Sequence, residues 1–138
     1  MTRIVSRGLG AASLLVAALV APTLTDAAAA RVDGLWRTEP RASGAFISVR
    51  IAPCPDAPDK RCGVVVGSHN GAPAEIVGDP IIEGMEPRGT NRWGGGEIIR
   101  PGRGTRYASE MELVGDALRV KGCAVAGLFC GAQVWTRP

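Results

Sequence analysis

The chain is poor in the residues that catalysis, metal binding and nucleic-acid binding draw on. Its one histidine, His69, sits in "GSHNGAP" with no metal-ligating or acid-base residue type beside it, so a solvated loop histidine is expected rather than a general base. No serine occupies a Gly-x-Ser-x-Gly elbow, and Ser43, Ser48, Ser68 and Ser109 have no motif partner. No two cysteines have the Cys-x-x-Cys spacing of a redox dithiol or the short spacing of a structural zinc site. Basic residues exceed acidic ones by only 16 to 13 and are dispersed, whereas binding to nucleic acid needs a concentrated patch. There is no pattern for a helix of three turns, no internal repeat and no low-complexity tract. These absences predict a protein that is not an enzyme, has no cofactor or metal, and has no nucleic-acid partner.

The N-terminus carries Arg3 and Arg7, then an apolar run from Ala11 to Ala21, then small residues at Ala27 to Ala30. That order is the pattern of a secretory signal peptide, with cleavage expected near Ala28 to Ala30. The apolar run is about half the roughly 20 residues a membrane-spanning helix needs, so no span is expected in the mature form. No cysteine follows the run until Cys54, and Arg3 and Arg7 are not adjacent, which argues against lipid attachment and against twin-arginine export. Residues 1–30 are thus expected to be removed, leaving residues 31–138 as a single domain in the periplasm or secreted medium. Losing Arg3, Arg7 and Asp26 takes the charges from 16 − 13 to 14 − 12, close to neutral.

All four cysteines, Cys54, Cys62, Cys123 and Cys130, lie in the mature part, and an even count in a small exported domain reads as a disulfide framework. Three pairings are formally open. The local one, Cys54 with Cys62 and Cys123 with Cys130, is favoured because each pair can face across a hairpin, where opposed alpha carbons fall within disulfide reach.

Alternation is clearest in "RYASEMEL", Arg106 to Leu113, where Tyr107, Ser109, Met111 and Leu113 share one face and Glu110 and Glu112 the other. Period two with one polar face predicts a half-buried antiparallel strand, with the two glutamates on the solvent side. Gly115 and Asp116 then turn the chain into "ALRVKG", completing a hairpin. Further strands are expected near Val32–Thr38, Ala45–Ile51, Arg61–Gly67, Pro80–Met85, Arg92–Arg100 and Leu128–Arg137. Eight strands at this spacing suit a sandwich or an up-and-down barrel. Gly94, Gly95 and Gly96, which follow Trp93, predict a bulge, a sharp bend or a close backbone approach.

Taken together, several stretches resemble the family of small secreted bacterial proteins classed as domain of unknown function 2147. They are "GLWRTEP" at Gly34–Pro40, "RCGVVVG" at Arg61–Gly67, "GDPIIEGM" at Gly78–Met85, "RWGGGEIIRPGRGTRYASEMEL" at Arg92–Leu113 and "VKGCAVAGLFCGAQVWTRP" at Val120–Pro138. The resemblance implies a periplasmic or secreted, all-β, lipocalin-like (calycin-like) antiparallel barrel, and brings no established activity. At Arg100–Gly104, "RPGRG", the chain departs from the family, whose members more often carry an aspartate before the proline. The lipocalin-like likeness includes Gly34, Leu35 and Trp36 on the first strand and Trp135, Thr136 and Arg137 on the last. Closing such a barrel would bring Arg137 over Trp36, where cation-π attraction contributes about 0.5–2 kcal/mol.

An eight-stranded barrel can be filled by side chains or can hold one small ligand. If it holds one, the expected contacts are the large inward candidates Trp36, Trp93, Tyr107, Met111, Leu113 and Trp135, and the ligand is small and hydrophobic. The alternative is a filled barrel that acts through its surface on an envelope protein, with an exposed apolar patch at Pro80–Pro87, where consecutive Ile81 and Ile82 are hard to bury together.

Overall fold

Side-chain alternation along the chain resolves into eight strands in a computed structural model that describes residues 8, 10–21, 31–124 and 127–138. They are β1 (Gly34–Arg37), β2 (Phe46–Cys54), β3 (Ala57–His69), β4 (Pro80–Pro87), β5 (Arg92–Ile99), β6 (Arg106–Val114), β7 (Ala117–Ala124) and β8 (Phe129–Trp135). Residues 10–21 are exposed and carry no regular structure, and the cleavage region expected at Ala28–Ala30 lies outside the described residues. Among the described residues no helix is long and apolar enough to cross a membrane.

Each strand runs antiparallel to the next, in the order β1 to β8, in one sheet. Right-handed twist curls such a sheet, and here the two ends meet. The seam is narrow: Arg37 and Thr136 form a single bridge, with N–H···O distances of 2.7 and 3.0 Å in the two directions. The fold is therefore an up-and-down antiparallel barrel, closed at one end of the seam.

The inward faces of the strands form one core. Trp36, Val49, Ile51, Val65, Met85, Met111, Leu118 and Trp135 are all buried, as is Val32 just before β1. Burying an indole strands its N–H unless a partner is found. Trp36 Nε1 donates to Val32 O at 2.8 Å, and Trp135 Nε1 donates to Gln133 Oε1 at 3.0 Å. Both disulfides form locally, Cys54–Cys62 with alpha carbons 4.9 Å apart and Cys123–Cys130 with 4.1 Å. Cys123 and Cys130 face each other directly across β7 and β8.

The patch expected at Pro80–Pro87 does not exist. Ile81 is 4% exposed and Ile82 fully buried, so the basis for a surface-acting protein at this strand is removed. Register explains it. From Arg61↔Met85 to Gly63↔Ile82, β3 advances two residues while β4 uses three, and from Gly63↔Ile82 to Val64↔Pro80 one residue of β3 faces two of β4. Each extra residue is a bulge that resets which face points inward. Ile81, Ile82 and Met85 all reach the core as a result.

The glycine run on β5 works with these bulges. Between Trp93↔Met111 and Gly96↔Ser109 the strand again carries an extra residue against β6. A Cβ at Gly96 would lie 2.5 Å from Glu83 O and 2.8 Å from Met85 N, so only glycine lets the β4 and β5 backbones approach this closely.

The two barrel ends differ. At one end the connections are tight, Pro55–Asp56 between β2 and β3 and, as expected, Gly115–Asp116 between β6 and β7. Residues 31–33 fold across this end: Val32 is buried, Arg31 donates to Gly115 O at 3.0 Å, and Arg61 Nε pairs with Asp33 at 2.7 Å. The other end carries the longer connections after β1, β3 and β5. That asymmetry positions the site.

Candidate functional site: the open end of the barrel

Three connections rise around the open end. Residues 38–45 turn back through Arg41 N→Ala45 O at 2.9 Å and Gly44 N→Arg41 O at 2.8 Å. The connection from β3 to β4 includes a short 3-10 turn, Ala74–Ile76, whose Ile76 is buried. The connection from β5 to β6 is held by Arg100 N→Thr105 O at 2.8 Å and Gly104 N→Arg100 O at 2.9 Å. Asp79 Oδ2 accepts from Gly102 N at 3.0 Å and so ties the second connection to the third. Gly102, at φ +76°, makes this turn possible.

Between them lies a cavity of about 610 Å³, within the range of small-ligand sites. Its wall is apolar: Ile47, Ile76, Ile81, Ile98, Tyr107 and Trp135 line it. Its lip is charged, with Glu39, Arg41, Arg100 and Arg103. Glu39 does a second task there, since its Oε2 accepts the Val134 N–H at 3.2 Å on the unpaired side of β8.

Of the ligand contacts expected from sequence, Tyr107 and Trp135 border this cavity, and Trp36, Trp93, Met111 and Leu113 do not. The latter four are buried in the core. Expectation placed all six together because they share inward faces; it had no means of telling which barrel end is filled. The lining residues that went unnamed, Ile47, Ile76 and Ile98 with the three arginines, come largely from connections and strand ends. One signal was in reach: "IIRPGRG" at Ile98–Gly104 sets two isoleucines directly before two arginines in a turn.

Arg137 lies at the filled end. Its Cζ stands 3.8 Å from the ring centroid of Trp36, while Nη1 donates to Leu35 O at 2.9 Å and Nη2 to Asp33 O at 3.2 Å and to Arg31 O. Burial pulls the guanidinium below its ordinary pKa, and the Asp33 carboxylate opposes that shift. A Cβ at Gly34 would come within 3.2 Å of Arg137 Nη1, so the glycine clears the path of the arginine.

His69 is exposed, as expected, but it is the last residue of β3 and not a loop residue, and its ring stacks on Phe46 at 4.6 Å between centroids. Its Nε2 is 2.8 Å from Ser48 Oγ. Among the described residues no carboxylate hydrogen-bonds the imidazole, so the pair lacks the third group that orients a base toward a nucleophile. Glu110, expected on the solvent side with Glu112, is exposed, and Glu112 pairs with Arg92 at 3.4 Å. Among the described residues no group of three or more His, Cys, Asp or Glu side chains could hold a metal ion.

No curated protein matches the chain. Among solved structures it is similar to protein HP1028 from the human pathogen Helicobacter pylori, described as belonging to the lipocalin family, with a TM-score of 0.62 and 11% identity over 78% of this chain and 82% of that one. At that identity the likeness concerns the fold, which is lipocalin-like. Residues 34–137 match the family described as "Uncharacterized protein conserved in bacteria (DUF2147)", and the chain belongs to that family.

Proposed function

We propose that this protein is an exported carrier or sensor of a small hydrophobic ligand, held at the open end of the barrel, and that it acts by binding without catalysis. One observation carries the reading: a cavity of about 610 Å³ with an isoleucine wall lies at the open end of the barrel, beside a cluster of buried core side chains. Small-ligand sites are concave, mostly apolar and of about 300–1,000 Å³. The lipocalin-like fold supports the reading. Export to the periplasm or medium is supported by the basic, apolar and small-residue order of residues 1–30 and by two disulfides, which persist in oxidising compartments. Binding without catalysis is supported by the Ser48–His69 pair, whose imidazole has no carboxylate partner among the described residues.

Native mass spectrometry of protein isolated from the periplasm tests the proposal, with a bound small molecule as the expected outcome. Titration with hydrophobic compounds should change tryptophan fluorescence, because Trp135 borders the cavity. Protein that is empty as isolated and silent in every titration would refute it.

A further inference from the structure

We propose that the ligand is a single-chain amphiphile with an anionic head group, its tail on the isoleucine wall and its head between Arg41, Arg100 and Arg103. The inference rests on the small-ligand reading above and adds the chemistry of the ligand. It starts from how the charges at the open end are spent. Among the described residues Glu39 is the one carboxylate lining the cavity, and it accepts the Val134 amide. Asp79, close by, accepts the Gly102 amide. Arg41, Arg100 and Arg103 have no carboxylate within 4.0 Å among the described residues, whereas Arg61, Arg88 and Arg92 each pair with one and Arg106 with two. The lip therefore carries three cations against one anion.

Gathering like charges costs free energy unless a counter-charge arrives. Two of the three cations also stand on one backbone turn that is held in place. Arg100 and Arg103 belong to one turn, fixed by Arg103 N→Arg100 O at 3.2 Å, by Gly104 N→Arg100 O at 2.9 Å and by the Asp79 tether to Gly102. A guanidinium offers a planar fork of donors that matches carboxylate or phosphate oxygens. Directly beneath, Ile47, Ile76, Ile81 and Ile98 offer only hydrocarbon. A neutral hydrophobe would leave the cations without partners, and a bare anion would leave the wall wet. An amphiphile satisfies both. Because Trp36, Met111 and Leu118 fill the barrel below, the tail has only the upper part to occupy, which favours a medium-length chain.

Decanoate, decanol, decyltrimethylammonium and inorganic phosphate, each titrated at pH 7.5 into the full mature protein by calorimetry, separate the contributions. Decanoate should bind at least tenfold more tightly than decanol, weaken as salt is raised, and outcompete both the cationic analogue and phosphate. A triple variant, Arg41→Ala with Arg100→Ala and Arg103→Ala, should lose that preference while decanol affinity and thermal stability stay the same. Equal binding of decanoate and decanol, or a preference that survives the triple variant, would overturn the head-group inference and leave the small-ligand reading intact. Phosphate binding as tightly as decanoate would overturn the need for a tail. Failure of both decanoate and decanol to bind would count against the small-ligand reading itself.

Discussion

Arg137 shows how much one side chain can hold at a barrel seam. It donates to the carbonyls of Leu35, Asp33 and Arg31 and covers the face of Trp36, joining the residues after β8 to β1 and to the segment before it. Replacing it by alanine removes these bonds together with the cation-π contact, and should cost about 2–3 kcal/mol in a urea unfolding experiment. Arg137→Lys keeps the charge but not the fork, so it should recover less than half of that loss. Gly96 makes the opposite point, since what matters there is an atom that is missing. Gly96→Ala puts a methyl group 2.5 Å from Glu83 O, and backbone cannot swing aside as a flexible side chain can. A loss of about 2–3 kcal/mol is expected, against less than about 0.5 for Gly131→Ala, where a Cβ would meet nothing within 4 Å.

At the scale of elements, strand β4 separates what periodicity can reveal from what it cannot. Along β6, inward and outward residues alternate without interruption, so Ser109, Met111 and Leu113 could be assigned to the core from sequence. In β4 two bulges reset the alternation, and bulges arise from the fit between neighbouring strands, which no single segment encodes. Ile81 and Ile82 consequently read as one inside and one outside, although both are buried. Ile82→Ala should cost about 2–4 kcal/mol and Ile81→Ala a comparable amount, while Val114→Ala on the exposed face should cost less than about 0.5. The same limit applies to β3, which runs on to His69 because Phe46 and Ser48 of β2 supply partners for its ring. Disulfides were more legible, since a hairpin needs only local spacing. Each closes a loop with a sequence separation of 8 or 7 residues, so replacing either pair by serines should lower stability by about 2–3 kcal/mol in the chain-entropy view.

For the molecule as a whole, the seam decides how the barrel behaves. β1 has four residues and β8 seven, so the two strands can pair along only part of their length, and they do so at Arg37 and Thr136. The amides of Thr136 and Val134 point away from β7, toward Arg37 O and Glu39 Oε2 respectively. By the alternation of an antiparallel ladder, Ala132 and Cys130 point their amides the same way, beyond the reach of β1. Free amides along a strand edge exchange with solvent and invite pairing, and a carboxylate placed against one of them covers the edge in part. Amide exchange followed by NMR should therefore alternate along β8: Cys130 and Ala132 fast, Gly131 and Gln133 slow through their bonds to β7, and Val134 intermediate. Glu39→Ala should speed exchange at Val134 and leave Gln133 unchanged. If Cys130 and Ala132 proved as protected as Gly131 and Gln133, the barrel would have to be closed along its full height, and the cavity would be reached only from above.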